Sequence, residues 1–356
     1  MSHGGDIYRN NVKLDMSVNV NPVKRPEAVD KAMLRGLEKA DCYPDIIYEA
    51  LRNDLANTEG LQPENVIVGN GASELITAVI RAFRGHKVAM TAPSFTGYEA
   101  AADCAEVEKV FIELKPEDDF DISVVKEGLN KLSSGDLLIL TDPNNPNGRL
   151  IEKSELESIL KETEERGIYV LLDECFISLT REGVKAGGRE FLRKGQKKLM
   201  VIDAITKSFA VPGIRLGFLF TIEMSLAKKI EALLPEWNVS SVAEETGRAA
   251  LKEKDYLEES ALFISEERER VIEKIEDIAC KTGVKIRIFK SDVNFVLLKC
   301  HINLYKKMLD EGILIRDCSE YHGLGEGYFR IAIRSKEKND IFLKTFESVI
   351  KEKLPT

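Results

Sequence analysis

Residues 136–174 read DLLILTDPNNPNGRLIEKSELESILKETEERGIYVLLDE. The runs LLIL at 137–140 and YVLL at 169–172 show no polar alternation, so each reads as a strand covered on both faces. Between them PNNPNG (143–148) is a turn by composition. EKSELESILKETEER is an amphipathic helix with a charged, solvated face. Strand, crossover helix and second strand make a parallel pair. The pattern repeats outward: NVIVGN before SELITAVIRAF, KVAMTAP before TGYEAAADCA, then KLMVIDAIT and RLGFLFTI. The fold class is therefore α/β: a large domain with a mostly parallel central sheet flanked by helices, whose ligands gather at the carboxyl ends of the strands.

Beyond this repeat, residues 224–281 are expected to be largely helical. They lead to a smaller α+β domain containing KIRIFKSDVNFVLLKC (285–300), a helix and turn in LYKKMLDEGILIR (304–316) and the strand GYFRIAIRS (327–335). The polar N-terminal stretch HGGDIYRNNVKLDMSVNVNP is expected to pack on that domain and on the active site. The expected divisions are 1–28 for the N-terminal segment, 29–240 for the large domain and 241–356 for the small one.

With 356 residues, 44% of them hydrophobic, the chain can bury one large and one small core. No stretch approaches the roughly 20 apolar residues of a membrane span and nothing resembles a signal peptide, so a soluble protein of the cytoplasm is expected. Six scattered cysteines without a C-x-x-C pair argue against a disulfide framework and against a metal site. A net charge of −9 disfavours nucleic acid and anionic membrane as partners, leaving a small molecule.

Polar residues mark the strand ends. Gly71, Ala72 and Ser73 precede a helix, where free N–H groups and the helix dipole suit a phosphate; Ser73 reads equally well as a plain N-cap. Asn145 either closes its turn or reaches a ligand. Asp173 follows an apolar run, so its carboxylate needs a partner. In ITKSFAVPGIRLGF (205–218), Lys207 is an amine among apolar groups, which loses its proton readily and becomes a nucleophile toward carbonyls. Arg215 suits a phosphate. Taken singly, each has a structural reading. Taken jointly, they describe a site for a phosphorylated aldehyde on a pyridine ring, pyridoxal 5′-phosphate.

On these motifs the chain resembles the class I/II aminotransferase superfamily of pyridoxal-phosphate enzymes, which implies an aspartate-aminotransferase-like fold. Two branches of it compete, the threonine-phosphate decarboxylases of cobalamin biosynthesis and the histidinol-phosphate aminotransferases. The resemblance implies that Lys207 carries the cofactor and that Arg215, Thr206, Gly71, Ala72 and Ser73 hold its phosphate. Phe95 would stack on the ring, Asn145 meet its O3′ oxygen, and Asp173 keep its nitrogen protonated. Tyr43 in CYPD would reach the phosphate from a neighbouring subunit, which implies a homodimer with shared sites. Ala204 stands where a serine is frequent, and Phe176 where many aminotransferases place a tyrosine. Phenylalanine there leans toward the decarboxylase branch, as do HGG (3–5), SVNVNP (17–22), PEWNV (235–239), IRDCS (315–319) and GLGEGYFRIAIR (323–334).

In YFRIAIR, strand alternation puts Arg330 and Arg334 on one face, about 7 Å apart at roughly 3.3 Å per residue. Like charges so close call for anions between them. By the resemblance Arg330 grips the substrate carboxylate, and Arg334 suits a substrate that carries a phosphate as well. Arg316 is expected to join them, with His3, Gly4 and Asn21 of the N-terminal segment closing over the substrate. The function expected is decarboxylation of L-threonine O-3-phosphate or a close analogue such as serine phosphate. The alternative is a histidinol-phosphate type aminotransferase using 2-oxoglutarate.

Overall fold

The structure is a computed structural model that describes residues 4–185 and 187–351. Its centre is a seven-stranded sheet of β2 (Val66–Gly69), β3 (Lys87–Ala92), β4 (Glu108–Glu113), β5 (Leu137–Thr141), β6 (Tyr169–Asp173), β7 (Leu199–Ala204) and β8 (Gly217–Thr221), numbered after the short N-terminal β1 (Leu14–Asp15). The spatial order is β2-β8-β7-β6-β5-β3-β4. The pairs among β3 to β7 are all parallel, whereas β8 runs antiparallel to both β7 and β2. Strand β8 follows β7 through one four-residue helix and a short loop. That connection has no helix long enough to cover the sheet face, and the chain returns antiparallel.

Alternate residues of each strand feed separate cores. Val68, Ala89, Leu138, Leu140, Val170, Leu172 and Val201 enter one cluster, and Ile67, Val88, Met90, Ile139, Leu171 and Ile202 the other. The sheet is thus covered on both faces, the condition that made its strands read as unbroken apolar runs. Edge strand β4, EKVFIE, has charged residues and a largely half-exposed surface, so it escapes a reading based on apolar runs.

A second, antiparallel sheet joins β9 (Ile286–Ile288), β10 (Phe295–Cys300), β12 (Arg316–Asp317) and β13 (Tyr328–Ala332) in the order β12-β13-β10-β9. Its core meets the helices Lys254–Thr282 and Lys336–Lys351 through Val271, Ile275, Val296, Phe329, Phe342 and Phe346. The N-terminal segment reaches this sheet: β1 pairs with β11 (Ile313–Leu314), and the Met16 carbonyl accepts the Ala332 N–H at 2.8 Å. Between the sheets Phe176, Leu179, Ile264, Val293 and Phe295 form a further cluster, so the long helix ties the two units together. Among the described residues no helix is long and apolar enough to cross a membrane. Among the described residues no disulfide joins any of the six cysteines.

Candidate functional site

A cavity of about 290 Å³ opens where β5, β6 and β7 end and the two sheets face one another. Ala72, Ser73, Phe95, Asn145, Asp173, Thr206, Lys207 and Arg215 line it from the large sheet; Gly4, Arg316 and Arg330 close it from the other side. Parallel register explains the convergence, because strands that end at one level deliver their following residues to one place.

Lys207 lies in the helix Ile205–Ser208 that immediately follows β7, its Nζ 5.8 Å from the centroid of the Phe176 ring. Burial, with the Arg330 and Arg215 charges nearby, pushes its ammonium down to about 8. A substantial neutral fraction near physiological pH makes it a nucleophile. Asp173, the last residue of β6, is buried and satisfied on both oxygens: Oδ2 accepts the Tyr98 hydroxyl at 2.6 Å and Oδ1 the Cys175 N–H at 3.0 Å.

The helix Ala72–Ala82 starts at the cavity wall, and Gly71 before it holds φ +78°. A Cβ at Gly71 would overlap the Arg215 guanidinium, so the glycine lets that arginine lie against the helix start. Arg215 itself adopts φ +59°, an unusual conformation for a branched chain end, and its Nη1 donates to the Pro212 carbonyl at 3.4 Å. Helix N–H groups, Ser73, Thr206 and a guanidinium make an anion cradle.

Across the cavity, Arg316 on β12 pairs in register with Arg330 on β13. The Arg330 Nη1 donates to Asn145 Oδ1 and its Nη2 to the Ser17 carbonyl at 3.0 Å. With its amide oxygen turned toward Arg330, Asn19 accepts from Nε at 3.1 Å. The side chain also lies over Phe295, 5.2 Å from its centroid.

Two expected residues are not on the cavity wall. Arg334 keeps the expected alternation, since Phe329, Ile331 and Ile333 all enter the opposite core, but its Nη1 donates to the Val18 carbonyl at 3.2 Å, next to the Ser17 carbonyl that Arg330 holds, and it does not line the cavity. Asn21 does not face the cavity, since its Nδ2 donates to the Ser208 carbonyl at 2.8 Å and its backbone N–H to the Lys207 carbonyl at 2.9 Å. It braces the helix of Lys207 instead. Tyr43, expected at the site of a neighbouring subunit, is 80% exposed and packs against Trp237, with centroids 4.8 Å apart. His3 falls outside the described residues. The sequence reading in turn overlooked Tyr98, Thr141, Ser17 and Asn19, all on the cavity wall. Tyr98 sits three residues after Phe95, one helical turn away, which was the available signal.

The profile of the family described as "Aminotransferase class I and II" matches residues 11–346. The chain belongs to that family. A protein of Caldanaerobacter subterraneus provisionally named threonine-phosphate decarboxylase is 35% identical to this class I/II chain over 98% of its length and 94% of the relative's. The threonine-phosphate decarboxylase of Salmonella typhimurium is 28% identical over 95% and 91% of the two chains. The crystal structure of the histidinol-phosphate aminotransferase from Clostridium acetobutylicum superposes with a TM-score of 0.87 at 33% identity, covering 95% of this chain and 99% of that one. Both units of the class I/II fold are thus shared, and relatives of both named activities match.

Proposed function

We propose that the protein is a pyridoxal-phosphate enzyme that decarboxylates L-threonine O-3-phosphate, or a close analogue such as O-phosphoserine, to an aminoalkyl phosphate in cobalamin biosynthesis. The observation that carries the reading is that Arg316 and Arg330, register partners on β12 and β13, both line the cavity of Lys207. Guanidinium groups bind carboxylate and phosphate through charge-assisted hydrogen bonds, and a substrate that carries both can engage the two together. Phe176 supports the same branch.

The residues fit the cofactor. Gly71 leaves room that any Cβ would fill with a clash against Arg215, and the cradle there matches a phosphate. Lys207 would hold the aldehyde carbon through its amine, Asp173 the ring nitrogen, Asn145 the ring oxygen and Phe95 a ring face. When bound, pyridoxal phosphate supplies an electron sink for the pair left when a bond at the substrate α-carbon breaks. The protein determines which bond that is: Arg330 and Arg316 grip the substrate's anionic groups and set the torsion about its α-carbon. After loss of carbon dioxide the α-carbon needs one proton, and Lys207 is placed to return it. Gly4 and the Ser17–Asn19 stretch cover the cavity from the N-terminal side and exclude water.

An aminotransferase of the histidinol-phosphate type, with 2-oxoglutarate as co-substrate, is the second reading. The fold match to such an enzyme at 33% identity supports it. Incubating the cofactor-loaded protein with phosphothreonine, phosphoserine and histidinol phosphate, each with and without 2-oxoglutarate, separates the two. Carbon dioxide from phosphothreonine without oxo acid is the expected result; turnover only with oxo acid would overturn it. The proposed working form is a cytoplasmic homodimer in which Tyr43 reaches the neighbouring site. Leu34, Leu37, Ile46, Ile47 and Trp237, exposed on the same chain, supply apolar surface for such a contact.

A further inference from the structure

Thr141 and Asp173 are register partners at the ends of β5 and β6. The Tyr98 hydroxyl stands against both, 3.0 Å from Thr141 Oγ1 and 2.6 Å from Asp173 Oδ2. The ring is fully buried and makes an edge-on contact with Phe95, centroids 5.5 Å apart. The phenol donates its single proton to Asp173, so the phenolic oxygen must accept the Thr141 proton. The chain therefore has one direction, Thr141 to Tyr98 to Asp173. Burial and the adjacent Asp173 charge push the phenol well above its usual range, which keeps it a donor.

We infer that Tyr98 is a positioning residue that fixes the rotation of the Asp173 carboxylate through this one-way chain. The inference rests on the cofactor reading above, in which Asp173 faces the ring nitrogen. Tyr98 occupies one lone pair of Oδ2 and the Cys175 N–H one of Oδ1. The carboxylate cannot turn without breaking both, and its remaining lone pairs are left for a donor in the cavity that it lines. Tyr98 also touches Phe95, so a single side chain sets the carboxylate at the ring's edge and the aromatic against its face.

The test compares cofactor-loaded wild type with Tyr98→Phe, which keeps the ring and its contact with Phe95, and with Thr141→Val, which removes the first donor alone. Losing a hydrogen bond to a charged group weakens an interaction by roughly tenfold or more. Tyr98→Phe is expected to raise the Kd for pyridoxal phosphate and lower kcat by about that factor, with KM for phosphothreonine nearly unchanged. It should also shift the pH at which the absorbance band of the Lys207-bound cofactor titrates. Thr141→Val should move the same readouts in the same direction by less. Among the described residues the other titratable groups lining the cavity, Cys175, Lys207, Arg215, Arg316, Tyr321 and Arg330, are unaltered in both variants. Unchanged Kd and unchanged absorbance titration in Tyr98→Phe, whatever its Tm, would overturn the inference. Should Tyr98→Phe not fold, wild-type behaviour of Thr141→Val in both readouts would do so. If wild type itself forms no borohydride-reducible adduct at Lys207, the cofactor reading falls and this one with it; an adduct in wild type beside an indifferent Tyr98→Phe sinks only this one.

Discussion

At the residue scale, the chemistry turns on how the protein treats one amine. Burial and two neighbouring guanidinium groups lower Lys207 to about 8, because each penalises the charged form. The neutral amine is the nucleophile, so the rate at which cofactor-free protein takes up pyridoxal phosphate should rise with pH and level off above about 8. Stopped-flow absorbance would show it; a rate flat from pH 6.5 to 9 would contradict the assignment. Lys207→Ala should abolish the adduct and lower turnover by at least about 10³-fold. Removing Arg330 should affect the substrate more than the cofactor, since its partners are Asn145, Ser17 and Asn19. Arg330→Lys cannot reproduce the planar fork, and a rise in KM for phosphothreonine of roughly tenfold or more is expected from loss of charge-assisted bonds, with cofactor absorbance retained.

At the scale of elements, two glycines hold the start of the helix Ala72–Ala82 in place. Gly217, where β8 begins, lies so close that a Cβ would come within 2.6 Å of the Ala72 nitrogen. Gly71 has both the left-handed backbone and the arginine against it. Gly217→Ala forces backbone apart, and Gly71→Ala adds conformational strain of about 1–3 kcal/mol. Both should lower Tm, and both should weaken binding of pyridoxal phosphate more than of pyridoxal, which lacks the phosphate that the cradle holds. Equal loss for the two ligands, by fluorescence titration, would place the cradle elsewhere.

At the scale of the molecule, a charge cluster lies on the side of β6 and β7 away from the cavity. Arg189 pairs with Glu59 at 2.8 Å, Glu174 at 3.2 Å and Asp203. Burial pushes Glu174 up to about 7 and Asp203 up to about 6, against the opposing pull of Arg189. Raised carboxylates bind protons in the native state that the unfolded chain has already released. The cluster's contribution to stability is therefore fully present at low pH and is lost as pH rises from about 4 through 7. Arg189→Met would leave Glu174 and Asp203 without an ion-pair partner, Glu59 keeping Arg193 at 4.0 Å, and should cost about 3–5 kcal/mol. The penalty should be larger at pH 8 than at pH 5.5, where the carboxylates take up protons; urea melts at the two values would decide it. Sedimentation is expected to give a dimer, and charged replacements at Ile46 and Ile47 should shift it toward monomer.

Much of this was legible in the sequence. The buried strands declared themselves as unbroken aliphatic runs, since a sheet covered on both faces accepts little else, and a strand end must place a polar residue where the sheet stops. Hence Lys207, Asp173, Asn145 and the Gly71–Ser73 turn could be singled out in advance, and the motifs around them carry the resemblance to the family. Edge strand β4 could not, because half its surface meets water. Nor could Arg316 be ranked above Arg334: that choice depends on β12 lying in register beside β13, a hydrogen-bonding relation between segments distant in the chain. Tyr98 and Asn19 likewise gain their partners only when separate elements meet. Local patterns of polarity report which residues are buried and in what element, because burial acts on each side chain separately; which two side chains share a cavity is settled by strand order and register, and these exist only in three dimensions.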